Sequence, residues 1–578
     1  MGRAMSNSVK LSASEKKLLS RRRFVAYLSS LGLSSTLLSG ILWAKLQEDK
    51  VMKITKEMLQ DAERLAGFEF TDTERDLMVE GLNDYLESYK KLRKVSLDNS
   101  LTPAFQFNPV LPGMRFKEQQ RPIKMSKAHK RGVPSNLEEL AFWPVTELAQ
   151  LIKSHQVSST ELTNMYLSRL KNYDPKLHCV ITLTEDLAQR QAKQADDEIA
   201  AGYYRGPLHG IPWGAKDLLA VKGYKTTWGA MSHKDQVIDF DATVVRRLGA
   251  AGAVLVAKLT LGALAWGDVW FGGKTRNPWN PEEGSSGSSA GPAAATAAGL
   301  VGFSVGSETY GSIISPSTVC GATGLRPTFG RVSRYGAMAL SWSMDKIGPI
   351  CREVEDCALV FKAIYGPDDR DRTVLDLPFN WDVDREIKGL KIGYLKSAFE
   401  EDREDKQWKA NDEATLDVLK SLDLNLIPIE LPDYPIEAME LILNVEAAAA
   451  FDKFTLSNRD DLLVRQIKDA WPNRFREARL VPAVEYIQAN RLRTLVMKAM
   501  QEQLSDIDVY VSPSWVGHNL LLTNLTGHPA VVVPNGFRKE KKPSSITFVG
   551  QLYGEDLVLT VAKAYQDATS FHLKHPIL

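Results

Sequence analysis

Along this chain the apolar positions change period several times, and each change marks an element. From Ile54 to Phe70, and again from Thr71 to Val95, apolar residues recur every three or four positions among charged ones, the pattern of two amphipathic helices. Thr71 or Asp72 suits the N-cap of the second helix, with acidic residues in its first turn. Together they predict a helical hairpin that packs against the rest of the protein. Pro103, Pro109 and Pro112 then break any regular period and predict an extended strap, followed by a basic solvated loop from Lys117 to Asn136. Glu147 to Tyr173 reads as two further amphipathic helices, and Val244 to Leu261 as a helix running into a buried strand. This alternation, with no internal repeat, predicts an α/β fold around one large core.

Composition narrows the function classes. A formal net charge of +1, spread over mixed Lys/Glu surfaces, gives no basic footprint, so no nucleic-acid partner is expected. Four cysteines (Cys179, Cys320, Cys351, Cys357) in 578 residues exclude a disulfide scaffold, and Cys320 reads as a small core residue. The nine histidines are scattered, no HExxH occurs, and no cysteine pair has zinc-ligand spacing. Neither a metal nor a cofactor is expected.

The N-terminus carries a separate signal. Ser20-Arg21-Arg22-Arg23-Phe24 fits the twin-arginine export pattern and precedes a moderately apolar, serine-interrupted stretch from Val25 to Ala44. No convincing A-x-A cleavage site follows, so the segment is expected to direct export to the periplasm or cell envelope, with an uncleaved membrane tether as one outcome.

Chemistry concentrates between Gly284 and Ser312, where two loops of Gly and Ser flank an apolar run, AAATAAGLVGFSV, read as a short buried helix. Such loops bring main-chain N–H groups close to a ligand and can present two hydroxyls across a small cavity. Upstream, Lys216 ends an apolar strand-like run, Ile211 to Ala215. A lysine desolvated there loses basicity, and its neutral amine can take a proton. Lys216, the SSAGP segment from Ser288 and GSETYGSI from Gly306 resemble the amidase signature family, as do GLRPTFGRVSRYG, SMDKIGPICREVEDCALV and the C-terminal NLTGHPAVVVPNGF. The likeness runs from about Glu138 to the C-terminus.

That resemblance implies a central mixed, twisted sheet covered by helices, and a division of the chain into a signal or anchor segment (1–48), a helical extension with linker (49–135) and a catalytic domain (136–578). It implies Lys216 as base, Ser288 as the proton relay on a cis peptide and Ser312 as nucleophile, 24 positions after Ser288. The main-chain N–H groups of Thr309, Tyr310, Gly311 and Ser312 would form the oxyanion hole. The implied reaction is hydrolysis of a small-molecule carboxylic amide, with esters as further candidates, through a Ser312 acyl-enzyme. Oligomeric state is left open. Departures from the family pattern fall at Glu308 for aspartate, Tyr310 for glycine and Ile314 for arginine, with Ala290 and Pro292 in the first loop; they bear on pocket shape.

Other readings compete. Gly287-Ser288-Ser289-Ala290-Gly291 fits the G-x-S-x-G nucleophile elbow with Ser289 as nucleophile and Asp508, His518 or His528 downstream, but the preceding TRNPWNPEEGSS lacks the required strand. The family also contains glutamine-hydrolysing subunits of tRNA-dependent amidotransferases, which need a cytoplasmic partner; the export motif and the helical extension argue against this. A catalytically silent binding protein is disfavoured by the presence of all three triad residues. His209 reads as a structural neighbour of the site, and Trp228, Tyr310 and Ser341 to Ser343 as pocket residues.

Overall fold

Eleven strands form the sheet that organises the protein. The computed structural model describes residues 53–578, except 68, 93, 96, 102, 104, 118 and 128–131, so the export motif and the apolar stretch after it lie outside the described residues. In chain order the strands are β1 (Val180–Leu183), β2 (Pro212–Lys216), β3 (Val254–Leu259), β4 (Phe303–Glu308), β5 (Thr323–Arg326), β6 (Lys346–Cys351), β7 (Lys391–Leu395), β8 (Asn425–Ile429), β9 (Val509–Pro513), β10 (Ala530–Phe537) and β11 (Pro543–Gly550). Their order across the sheet is β1-β3-β2-β4-β6-β5-β10-β11-β9-β7-β8. β2 runs parallel to both β3 and β4, β7 parallel to β8 and β9, and the other pairs are antiparallel. The sheet is therefore mixed, and its central strands β2 to β6 are almost wholly buried, as helical cover on both faces requires.

Local signals account for the elements around it. Helix Ser159–Leu177 begins in a capping box between Ser158 and Glu161, and helix Thr243–Ala250 leads into β3 as its pattern predicts. The apolar run from Ala293 to Val305 divides differently from its sequence reading. Only Ala290–Ala297 is helical, every residue of it buried; the chain then turns at Gly299 (φ +62°) and continues as strand β4. The alanines favour helix, whereas Phe303 and Val305 pack into the sheet between β2 and β6.

Contacts divide the chain between Ser96 and Leu97. In the first unit, helices Lys56–Ala66 and Asp72–Leu92 form the predicted pair. Thr71 is the cap of the second: its hydroxyl accepts from Glu74 N at 3.3 Å, and the Glu74 carboxylate accepts from Thr71 N at 2.6 Å. Arg75 on the second helix pairs with Glu63 on the first at 2.8 Å. The strap, grouped with this extension in the sequence reading, belongs by its contacts to the large unit. The Asn99 side chain donates to Ala339 O (2.9 Å) and accepts from Ala339 N (2.7 Å), while Phe107 stacks edge-on against Phe329 at 5.1 Å. Proline punctuation identified an extended segment but held no information about which surface it would cover.

Candidate active site

β2 delivers Lys216 to the middle of the sheet, where β3 and β4 flank it and no solvent reaches the side chain. Its ammonium donates to Ser288 Oγ (2.9 Å), Ser289 Oγ (3.0 Å), Ser307 Oγ (3.0 Å) and Ser307 O (3.3 Å). All four partners are hydroxyl or carbonyl oxygens, so no carboxylate contact compensates the buried charge. Burial pulls the amine down to about 7, opposed more weakly by the negative charges of Asp345 and Glu308. A substantial fraction is thus neutral near pH 7 and able to accept a proton.

The first serine loop is shaped by close packing. The Gly287–Ser288 peptide is cis. A Cβ on Gly287 would lie 1.9 Å from Gly267 O, so only glycine fits there. Ser288 and Ser289 are both buried. Ser289 Oγ donates to Ser307 O (3.0 Å) and accepts from Ser307 N (3.2 Å), fastening this loop to β4.

The second loop leaves β4 and enters helix Ile314–Cys320. Among the described residues, none accepts a hydrogen bond from the main-chain N–H groups of Thr309, Tyr310, Gly311 or Ser312, whereas the next two, Ile313 and Ile314, donate to Glu308 Oε2 at 2.8 and 2.9 Å. Four consecutive donors are therefore unpaired beside the Ser312 hydroxyl. Gly311 holds φ +85°, and a Cβ there would press on Ser315 Oγ at 2.9 Å. The other Glu308 oxygen accepts from Arg326 Nη1 (2.9 Å) and Asn524 Nδ2 (2.8 Å). Burial alone would push this carboxyl up, but Arg326, the two amides and Asn524 outweigh it and hold it below its ordinary value. Glutamate in place of the family's aspartate thus acts as the clamp of the turn.

Lys216 and Ser288 are brought together directly. Ser312 joins them through its main chain, its carbonyl accepting from Ser289 N at 3.1 Å, and its hydroxyl has no protein acceptor among the described residues. Three contributors escaped the sequence reading. Ser289 and Ser307 share the lysine; a serine-rich loop signals such hydroxyls but not their target. Asp345, which accepts from Thr309 Oγ1 at 2.6 Å and from Leu340 N and Ser341 N at 2.8 and 3.0 Å, carried no signal.

Several candidates lie elsewhere. His209 accepts from Arg205 N at 3.1 Å and approaches Glu198 at 3.1 Å; it supports that cluster and is not among the partners of Lys216. Trp228 packs on His233 with ring centroids 4.6 Å apart. Ser341 and Ser343 spend their hydroxyls on Glu446, at 2.6 and 2.7 Å. Cys320 is buried against Ser285 O at 3.7 Å, and burial pushes its thiol well up. The elbow reading loses its partners: Asp508 accepts from Lys391 N (2.9 Å), His518 pairs with Glu437, and His528 bonds Thr526 (2.8 Å).

A buried lysine amine bonded to serine hydroxyls, beside a loop of unpaired N–H donors, on a mixed sheet, defines a hydrolytic site. Residues 161–520 match the Amidase family model; the chain belongs to that family and is an enzyme that hydrolyses amide C–N bonds. Among its relatives is a glutamyl-tRNA(Gln) amidotransferase subunit of Geobacter metallireducens, 32% identical over 480 residues, 75% of this chain and 99% of the relative. Among solved structures, the native peptide amidase from Stenotrophomonas maltophilia superposes with a TM-score of 0.66 at 28% identity, over 75% of this chain and 98% of that one. An amidase family protein from Bacillus anthracis str. Ames gives 0.68 at 26% identity, over 76% and 93%.

Proposed function

We propose that the protein is a serine amidase in which Ser312 attacks the carbonyl of a small-molecule amide and forms an acyl-enzyme. Lys216, neutral, takes a proton from Ser288 Oγ as Ser288 takes one from Ser312 Oγ. The lysine proton, passed back through Ser288, leaves with the amine or ammonia, and water then resolves the acyl-enzyme by the same relay. The developing oxyanion is met by the N–H groups of Thr309, Tyr310, Gly311 and Ser312, donors of a kind each worth roughly 3–4 kcal/mol in the transition state. The observation that carries this reading is the set of partners of Lys216: hydroxyl and carbonyl oxygens only, the nearest of them Ser288 at 2.9 Å. Intact-protein mass spectrometry after a fluorophosphonate tests it. Labelling of the parent is expected to vanish in Ser312→Ala, weaken in Lys216→Ala and persist in Ser289→Ala; labelling that follows Ser289 would defeat the assignment.

Two kinds of amidase fit this chemistry. A stand-alone enzyme is favoured by the likeness to the peptide amidase and by Ser20–Phe24, which reads as an export signal to the cell envelope. The glutamine-hydrolysing component of a tRNA-dependent amidotransferase is supported by the curated relatives of that name, which the chain matches over 99% of their length in the case of Geobacter metallireducens. Ammonia release from glutamine, against release from C-terminal peptide amides and aryl amides, separates them, and fractionation of the producing cells tests export.

A further inference from the structure

A cavity of about 1160 Å³ opens between the strap and the helices Leu441–Ala450 and Ala483–Gln503. It is as large as or larger than most small-molecule sites, which run roughly 300–1,000 Å³. Neither Lys216, Ser288, Ser312 nor the Thr309–Gly311 loop lines it, and its strap wall precedes residue 161, where the family match begins.

The walls are built in two tiers. At the floor the polar groups already have partners. The Glu446 carboxylate accepts from Ser341 Oγ (2.6 Å), Ser343 N (3.0 Å), Ser343 Oγ (2.7 Å) and Tyr486 OH (2.9 Å), which fills its four lone-pair sites. Arg493, 1% exposed, donates to Leu525 O (2.5 Å), Ser343 Oγ (2.9 Å) and Ser343 O (2.9 Å), with Phe107 over its guanidinium. At the rim the reverse holds: Leu97, Leu101, Phe105 and Ile487 line the cavity with 57–70% of their surface in water. Large apolar side chains left together at a cavity mouth are the mark of a surface that something covers. One cation at this mouth has N–H groups to spare, since Arg491 gives a single bond, to Gln488 at 2.9 Å. Asp98, the acid at the rim, is turned to Ser100 N and Oγ at 2.9 and 2.6 Å.

We propose that this cavity is a binding site for an amphipathic monoanion, its apolar body under the strap and its acidic head at Arg491. A satisfied floor excludes a charged group at depth, because a buried ion there would find no free partner. Covering the four rim side chains supplies affinity, and the guanidinium supplies the choice of head group.

The test uses 8-anilinonaphthalene-1-sulfonate as reporter and dodecanoate as competitor on the full chain. One reporter molecule per chain is expected, displaced by dodecanoate. Leu101→Asp and Ile487→Asp, both at exposed positions, are expected to weaken the reporter at least tenfold. Arg491→Gln is expected to weaken dodecanoate several-fold and leave dodecanol unchanged. Ser312→Ala, and parent blocked by a fluorophosphonate, are expected to bind as the untreated parent does, so binding stands or falls independently of the nucleophile. Absence of saturable binding, or equal binding in the rim variants, would overturn the site. Loss of binding on blocking Ser312 would overturn it too, making the cavity part of the substrate passage.

Discussion

Lys216 and Lys258 stand side by side on β2 and β3, both with no exposed surface, yet they are opposite in chemistry. Lys216 faces the serine loops and bonds only neutral oxygens. Lys258 meets the Asp217 carboxylate at 2.7 Å and adds Lys225 O (2.7 Å) and Thr226 Oγ1 (2.6 Å). Asp217 is the residue after Lys216, and the alternation of a strand end sends the two side chains to opposite sides. Burial pulls the Lys258 amine down as well, but Asp217 opposes it with a direct ion pair. Burial is common to the two lysines, and the partner decides the role. Next to hydroxyls a buried lysine is a base; next to a carboxylate it is a structural cation tying β3 to the segment that follows β2.

Substitution of each lysine should break the comparison in a different observable. Lys216→Met is expected to lower kcat/KM by about 10²–10⁴-fold, the range for a lost general base, while leaving the melting temperature unchanged or raised. Steady-state kinetics and calorimetry on the same preparation check both halves. Lys258→Met should do the opposite. It strands Asp217 without its cation and is expected to cost about 3–5 kcal/mol of stability, read from denaturant unfolding, with kcat per folded molecule little changed. Removing both charges, in Asp217→Asn with Lys258→Met, should recover much of that loss.

Proton linkage sharpens the same contrast. The Lys216 amine is held near 7 in the folded protein against 10.5 when exposed, so between these values the unfolded chain binds more protons than the folded one. Stability of the parent relative to Lys216→Met should therefore rise with pH across about 7 to 10.5, by at most about 1.4 kcal/mol per unit. Activity should fall as pH drops through about 7, where the amine gains its proton. Asp345 raises the basicity of Lys216, so Asp345→Asn should move this acidic limb to lower pH, as a kcat/KM profile would show. The smallest effect is expected at Tyr310. Its ring is 41% exposed beside the unpaired N–H groups, and Tyr310→Gly should change kcat/KM among bulky amides by about tenfold while leaving the fluorophosphonate reaction of Ser312 intact.

Much of the candidate site was legible because it lies in contiguous letters. The serine loops, the apolar run before Lys216 and the glycines at tight turns are local features, and each carries its conformational reason with it. The helical caps at Thr71 and Ser158 were legible for the same reason, since a capping box is a four-residue interaction. The run from Ala293 to Val305 was only half legible: short apolar segments read alike as helix or buried strand, and the pairing of β4 with β2 and β6 decides between them. Asp345 and Glu446 were invisible, because each acts on residues 36 and more than 100 positions away through hydrogen bonds that only the folded chain creates.

The sequence by itself determined the family, the three candidate triad residues and the loops that carry them, since these depend on residue type and short-range geometry. Tertiary structure decided which buried lysine stays without a carboxylate, how Glu308 clamps the turn that carries Ser312, and where the strap closes over a cavity. Those outcomes rest on contacts between strands and helices far apart in the chain, and it is such contacts that set the dielectric and the partners on which basicity depends.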